Sequence, residues 1–209
     1  MKKFVAVTVS VVVCIAASVG AVSYKTKINA SKIAVTSKNT QPILTVADFD
    51  SGAAPNNVGG SFGSWDKDPA DDSQSYKAEI LKPGYDGTGC SLKLSYDVDS
   101  PNVAYGGLWM KLEDIDVRPY SKLSFWLKGD EKLGFTKKFK IEIKNKKGES
   151  SSYYVTDSSD LWDVVEIPLA SFNKITDWSK MSEFVIVLES DQVTQKSGAI
   201  YFDDISFVK

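Results

Sequence analysis

Apolar and polar positions alternate along most of the chain from Ile43 onward. The alternation is clearest in the segments 122–128 and 138–144. Their regularly spaced apolar residues are Leu123, Phe125, Leu127, Phe139, Ile141 and Ile143. A period of two residues indicates β-strands with one buried face. Because the turn sequence at 145–148 follows the second segment directly, a hairpin is predicted there.

Several more short segments have strand character and are separated by clusters of Gly, Pro, Asn and Asp. They are Tyr76–Leu81, Cys90–Val98, Tyr105–Leu112, Ser151–Thr156, Asp163–Leu169, Phe184–Glu189 and Ile200–Phe207. No long amphipathic helical pattern interrupts them. This pattern predicts an all-β fold, an antiparallel β-sandwich such as a jelly roll. The segment 184–188 is apolar on both faces and is expected at the centre of a sheet.

The N-terminal region divides into two segments with different compositions. Residues 1–23 begin with two lysines, continue with an apolar stretch over 4–19 and end in small residues, as a signal peptide does. The alternative is an uncleaved N-terminal anchor, which would be this protein's one contact with a membrane. Residues 24–41 form a polar, basic linker, and 42–209 form the sandwich domain. We therefore expect a secreted or cell-envelope protein.

Charge and residue types exclude several functions. Residues 42–209 contain 27 acidic and 19 basic residues, a net charge of −8 that disfavours nucleic acid as a partner. The chain has no histidine, which removes the commonest general base and zinc ligand. It also has no nucleophile elbow and no phosphate-binding glycine loop, so we expect no enzyme activity. Of the two cysteines, Cys14 lies in the expected signal peptide, so its removal leaves Cys90 as the only thiol, and stability must then come from core packing or a metal.

Four segments carry a resemblance to a known family. They are Val46–Gly52, Gly87–Leu94, Trp162–Phe172 and Gly198–Phe207. In sequence and order they resemble family 11 carbohydrate-binding modules, and they are also similar to complex I intermediate-associated protein domains. The resemblance spans about residues 44–208 and implies a jelly roll of the galactose-binding-like superfamily.

The resemblance also implies a structural calcium ion where the first and last strands meet. Asp50 matches an acidic position of similar modules, and Asp203 and Asp204 match a closing acidic pair. Calcium takes six to eight oxygen ligands, which clustered carboxylates can supply. The alternative is that these residues are ordinary turn and surface carboxylates.

For the sugar site, the resemblance places Tyr105 and Tyr153 at positions of ligand-stacking tyrosines. Trp126 points away from the main apolar face of its own strand, and Trp65 lies in the first long loop, where it could form a rim. Flat rings of this kind stack on the C–H faces of sugars. The alternative for each ring is packing in the core.

Core packing is the favoured interpretation for two further tryptophans, Trp109 and Trp162. Some positions depart from the family pattern. Leu188 stands where similar modules carry an aromatic residue, and strand 138–144 presents charged side chains where a sugar platform would be expected.

The resulting prediction is a non-catalytic, secreted module that holds a polysaccharide, a β-glucan-like chain in first place. The alternative is an exported protein-interaction or scaffold domain that binds another exported protein. Sugar binding predicts that Tyr105, Tyr153 and Trp126 are exposed on one curved sheet. A protein-interaction domain predicts a flatter apolar patch, and an enzyme predicts two convergent carboxylates in a deep cleft.

Overall fold

A computed structural model describes residues 42–209, so the predicted signal peptide or anchor and the linker lie outside the described residues. The described part consists almost entirely of strands. They are β1 (Ile43–Ala47), β2 (Phe62–Asp66), β3 (Ser75–Leu81), β4 (Ser91–Asp97), β5 (Tyr105–Ile115), β6 (Lys122–Gly129), β7 (Phe139–Asn145), β8 (Ser150–Val155), β9 (Asp163–Pro168), β10 (Met181–Glu189) and β11 (Ser197–Val208). Among these residues, no helix has the length and apolar character needed to cross a membrane.

The strands form two antiparallel sheets. The first sheet has the order β3-β4-β11-β6-β9, with β1 paired to the second half of β11. The second sheet has the order β2-β5-β10-β7-β8. Neighbours in space are mostly distant in sequence, as in a jelly roll. The predicted β-sandwich is therefore confirmed.

The core lies between the inner faces of the two sheets. Six phenylalanines are almost completely buried there: Phe125, Phe139, Phe172, Phe184, Phe202 and Phe207. Phe202 of the first sheet contacts Phe139 of the second edge-to-face, with ring centroids 5.7 Å apart. Burying a side chain of this size contributes about 2–3 kcal/mol. The inner faces therefore hold the two sheets together.

Several local predictions are confirmed. The hairpin at 145–148 joins β7 and β8, which pair along their whole length. The doubly apolar segment 184–188 lies in β10, between β5 and β7. A strand at that position is covered by the core on one side, and its outward valines are also buried. This explains why it lacks polar alternation.

The predicted strands did not include β1 and β2. Trp65, expected in a long loop, lies within β2 and pairs with Gly107 of β5. The sequence of β2, Phe-Gly-Ser-Trp-Asp, contains residues that are depleted in strands. Pairing with β5 keeps it extended, and that contact is not visible in a local pattern.

Candidate functional site

An open depression of about 690 Å³ lies on the outer face of the second sheet. We call it the binding groove. It is lined by Trp65, Tyr105, Trp109, Lys111, Lys140, Glu142, Lys144, Glu183, Val185, Val187 and Glu189. These residues come from β2, β5, β7 and β10, so the groove crosses most of the sheet.

Strand register places these side chains on one face. Trp109 of β5 is opposite Val185 of β10, which in turn is opposite Glu142 of β7. Directly paired residues point to the same side of a sheet, and every second residue along a strand does so too. Tyr105 and Lys111 therefore share the outer face with Trp109. The intervening Leu108 and Met110 point into the core.

One side of the groove is aromatic, formed by Trp65, Tyr105 and Trp109, which we call the aromatic wall. The rings of Trp65 and Tyr105 meet edge-to-face, with centroids 6.1 Å apart. Gly63 leaves room for the ring of Trp109, because a Cβ at that position would lie 3.3 Å from it. The wall offers apolar ring surface of the kind that sugar C–H groups contact.

The other side is a charged row on β7 and β10. Glu183 accepts hydrogen bonds from both Lys111 and Lys144, the second at 2.8 Å. Lys140 donates to Glu189 at 2.7 Å. Lysines and glutamates are equal in number around the groove, so it carries no net formal charge.

The ion pairs fix the protonation states of Glu183 and Lys144. Burial alone would raise the pKa of Glu183, but the hydrogen bonds from Lys111 and Lys144 outweigh it and lower the pKa. For Lys144, burial lowers the pKa, and the bond to Glu183 and the nearby carboxylates raise it overall. Both groups therefore stay charged near neutral pH.

This electrostatic arrangement differs from that of a glycosidase. A general acid in such an enzyme has a raised pKa, whereas Glu183 has a lowered one and is held between two lysines. The carboxylates of the groove can accept hydrogen bonds from hydroxyl groups. Glu183 in particular is held ionised and is not arranged to donate a proton to a glycosidic oxygen.

Two of the predicted sugar-binding residues, Tyr105 and Trp65, line the groove. Trp109, for which the core was favoured, lines it as well, so that prediction is wrong. From Leu108 onward its strand alternates, and the core-facing positions on either side of it are Leu108 and Met110. This periodicity was visible in the sequence and could have identified Trp109.

Trp126 does not belong to this surface. It lies on β6 in the first sheet, where its ring stacks on Tyr85 with centroids 4.3 Å apart and an angle of 14° between the planes. The expectation that Trp126 shares one curved sheet with Tyr105 is therefore wrong. Alternation showed that Trp126 points outward from its strand, but not which sheet the strand joins. Trp162 is also outside the core and lies against Tyr201.

Tyr153 lies in the second sheet but on its other face. It is paired with the core residue Ile141, and its ring contacts Phe172 at 6.3 Å. Its neighbour Tyr154 pairs with Lys140 and donates a hydrogen bond to Glu189 at 2.8 Å. Tyr153 is exposed and belongs to the same sheet as Tyr105, as expected, but it lies on the opposite face from the groove. A shift of one residue along a strand reverses the face.

A second, smaller pocket of about 180 Å³ lies at the end of β1, against β11. We call it the carboxylate pocket. It is lined by Asp48, Asp50, Tyr85, Asp86, Thr88, Asp203 and Asp204. The three predicted calcium ligands, Asp50, Asp203 and Asp204, are thus brought together with two further aspartates. A bulge in β11 directly after Asp203 places both acids at this site.

Burial and neighbouring carboxylates raise the pKa values of Asp203 and Asp204. The pKa of Asp203 is raised to about 6. Burial is the largest cause, hydrogen bonds from the main-chain N–H groups of Tyr85 and Asp204 partly offset it, and the charges of Asp204 and Asp50 add to the rise. Burial, followed by the charges of Asp48 and Asp50, also raises the pKa of Asp204. No lysine or arginine lines the pocket within residues 42–209, so this part of the structure concentrates negative charge there.

The donor set suits calcium. All side chains that line the pocket offer oxygen atoms. Gly84 and Gly89 leave room for the carboxylates, since a Cβ on Gly84 would lie 2.7 Å from Oδ2 of Asp203. Within residues 42–209, however, no three acidic groups already stand at the spacing of a formed metal centre. A cation would have to draw the side chains closer together.

Comparison with known proteins supports the resemblance seen in the sequence. The family model for the carbohydrate binding domain (family 11) matches residues 32–195. No curated protein matches the chain in sequence.

Solved structures share the fold at low sequence identity. The family 11 carbohydrate-binding module of a cellulosomal cellulase of Clostridium thermocellum has a TM-score of 0.60 at 20% identity, over 80% of this chain and 95% of that one. A family 11 module from the same organism, in complex with a β-1,3-1,4-mixed-linked tetrasaccharide, has a TM-score of 0.58 at 20% identity, over 79% and 95%. An exo-β-agarase gives 0.57 at 13% identity, over 78% of this chain and 24% of that one.

Proposed function

The chain belongs to the family 11 carbohydrate-binding domains, and from this premise we propose that it holds a β-glucan-like polysaccharide in the binding groove. The membership confirms the family resemblance drawn from the sequence. It also makes the chain a carbohydrate-binding module and not an enzyme. The identity of the sugar and its place on the molecule are the proposed part.

The combination of an aromatic wall and a charged row carries this proposal. A sugar ring has apolar C–H faces and hydroxyl groups around its edge. Trp65, Tyr105 and Trp109 offer surface for the faces. The carboxylates and ammonium groups opposite them accept from and donate to hydroxyl groups.

The charge balance of the groove favours a neutral glycan. Glu183 and Glu189 are each paired with lysine, so neither sign of charge is in excess. An anionic polysaccharide would gain no net attraction there, and the domain as a whole is acidic. The family 11 module of Clostridium thermocellum was solved with a mixed-linked tetrasaccharide, which supports a β-glucan as the first choice.

We further propose that the carboxylate pocket holds a structural calcium ion through Asp50, Asp203 and Asp204, assisted by Asp48 and Asp86. The excess negative charge of the pocket supports this assignment. When bound, calcium would neutralise the carboxylates and link the end of β1 to β11 and the loop at 84–90.

A polysaccharide ligand also fits the export proposed from residues 1–23.

The test is affinity electrophoresis of the chain through gels that contain β-glucan, xylan, mannan, α-glucan or an anionic polysaccharide. We expect retardation by a neutral β-glucan, with and without added salt, and its loss in Tyr105→Ala. The matched control is Tyr201→Ala, which removes a tyrosine ring from the first sheet. Migration unaffected by every neutral glycan would refute the proposal and favour the alternative, a protein-interaction domain.

A further inference from the structure

Trp126 lies on the outer face of the first sheet, beside the carboxylate pocket. Its partner across the β6–β11 pair is Asp203, so the two side chains share a face. The loop 84–90 folds over this face. It brings Tyr85 onto the indole of Trp126 in a nearly parallel stack.

The same loop forms one side of the carboxylate pocket. Tyr85, Asp86 and Thr88 line it. The main-chain N–H of Tyr85 donates to Oδ2 of Asp203 at 2.9 Å, and that of Cys90 donates to Oδ1 of Asp50 at 2.8 Å. Both bonds use oxygen atoms that belong to the proposed calcium ligands.

We infer that the stack of Tyr85 on Trp126 is a latch that holds the loop 84–90 in position for a divalent cation. The inference rests on the calcium proposed above and adds a positioning role for two aromatic residues. The stack uses no carboxylate oxygen. It therefore keeps Asp86 and Thr88 at the pocket even while Asp50 and Asp203 turn their oxygens toward an ion.

Geometry explains why a latch is needed. Asp86 is exposed on the loop and would otherwise be repelled by the aspartates of β11 and of the turn after β1. Hydrogen bonds within the loop, such as Thr88 N–H to Asp86 Oδ1 at 2.8 Å, fix its shape but not its position on the sheet. The Trp126 ring supplies a fixed attachment on the sheet itself.

The test is the calcium affinity of the full chain, measured by isothermal titration calorimetry after removal of metal with a chelator. Trp126→Ala should weaken calcium binding about tenfold, the scale of a lost aromatic stack. Trp126→Phe should keep the affinity within about threefold of wild type, because a ring remains to stack. Trp162→Ala is the matched control, since Trp162 directly precedes β9 of the same sheet and contacts Tyr201 instead of the loop.

A cooperative urea-unfolding transition serves as the check that each variant is folded, because it depends on neither the calcium nor the sugar proposal. If Trp126→Ala fails this check, Tyr85→Leu removes the stack from the loop side and leaves the sheet unchanged. Calcium affinity equal to wild type in a folded Trp126→Ala or Tyr85→Leu variant overturns the latch but not the calcium site. A wild-type chain that binds no calcium overturns both the latch and the calcium site. Sugar binding is tested separately, by affinity electrophoresis.

Discussion

Tyr153 and Tyr154 are neighbours with opposite surroundings. Tyr153 leans on Phe172 at the edge of the core, whereas Tyr154 bonds Glu189 and lies under the ammonium of Lys138, 4.8 Å from the ring centroid. Burial, followed by the bond to Glu189, raises the pKa of Tyr154 to about 12. Tyr154 therefore donates a proton in a hydrogen bond over the whole useful pH range and orients one end of the charged row.

This pair allows a reciprocal experiment. Tyr154→Ala should weaken glycan binding about fivefold, because Glu189 loses a charge-assisted hydrogen bond worth about 1 kcal/mol. Tyr153→Ala should leave binding unchanged and lower the free energy of unfolding by about 1–2 kcal/mol through the lost contact with Phe172. Calorimetric titration with glycan and urea unfolding measure the two effects. Similar affinities for both variants would contradict the assignment of faces.

The aromatic wall makes a second prediction at this scale. Trp109→Ala should weaken glycan binding about thirtyfold, as expected when a central aromatic contact worth about 2 kcal/mol is removed. Trp162→Ala changes the same residue type next to the first sheet, directly before β9, and should bind like wild type. Affinity electrophoresis compares the two directly. An equal loss in both would show that the groove is not the sugar site.

At the scale of elements, the site depends on how closely β2, β5 and β10 approach one another. Gly107 lies between Trp65 of β2 and Val187 of β10. Its φ is +154°, and a Cβ there would press into the main-chain carbonyl of Ile186. The glycines after Tyr105 thus serve the packing of the strands that carry the aromatic wall.

Gly107→Ala should therefore lower the free energy of unfolding by about 3 kcal/mol, because backbone would have to move. Gly148→Ala is the matched control. Gly148 also has a positive φ, +81°, but a Cβ there meets nothing within 4 Å, so only the local cost of about 1 kcal/mol applies. Urea unfolding of the three proteins measures this difference. Equal destabilisation would mean that the contact with Ile186 is easily relieved.

At the scale of the whole molecule, the sandwich separates two kinds of site. The binding groove lies on the second sheet, with balanced charge, and the carboxylate pocket lies against the first, with uncompensated charge. Asp203 is almost completely buried and has a pKa of about 6, above the ordinary value of 3.8. A carboxyl with a raised folded-state pKa stabilises the fold below its unfolded pKa, and this contribution is lost as the pH rises through about 6.

In the presence of a chelator, the contribution of Asp203 to the free energy of unfolding should fall by about 1 kcal/mol between pH 5 and pH 7. Asp203→Asn should remove this slope, whereas exposed Asp72→Asn should keep it. Calcium at about one hundred times its dissociation constant should add about 2.7 kcal/mol to wild type at pH 7. Urea unfolding at both pH values, with and without calcium, measures the pH slope, its change in the variants and the gain from calcium. An unchanged slope in Asp203→Asn would refute the role of this carboxyl.

Local periodicity determined much of the fold. Three features follow from the order of residues within one short segment, so the sequence alone predicted them. They are the alternation in β6 and β7, the turn at 145–148 and the doubly apolar β10. The family resemblance of the segments around Asp50 and Asp203 implied a set of acidic residues that the structure brings together. The excess of acidic residues by itself disfavoured nucleic acid as a partner, because charge repulsion does not depend on the details of the fold.

Tertiary structure alone decided which strands share a sheet and which face each side chain takes. Alternation indicated that Trp126 points outward, but only the pairing of β6 with β11 placed it beside Asp203 and away from Tyr105. The face of Tyr153 depended on a one-residue register against β7. Such pairings join residues far apart in sequence. Their energy comes from contacts across the sandwich, and no local pattern records it.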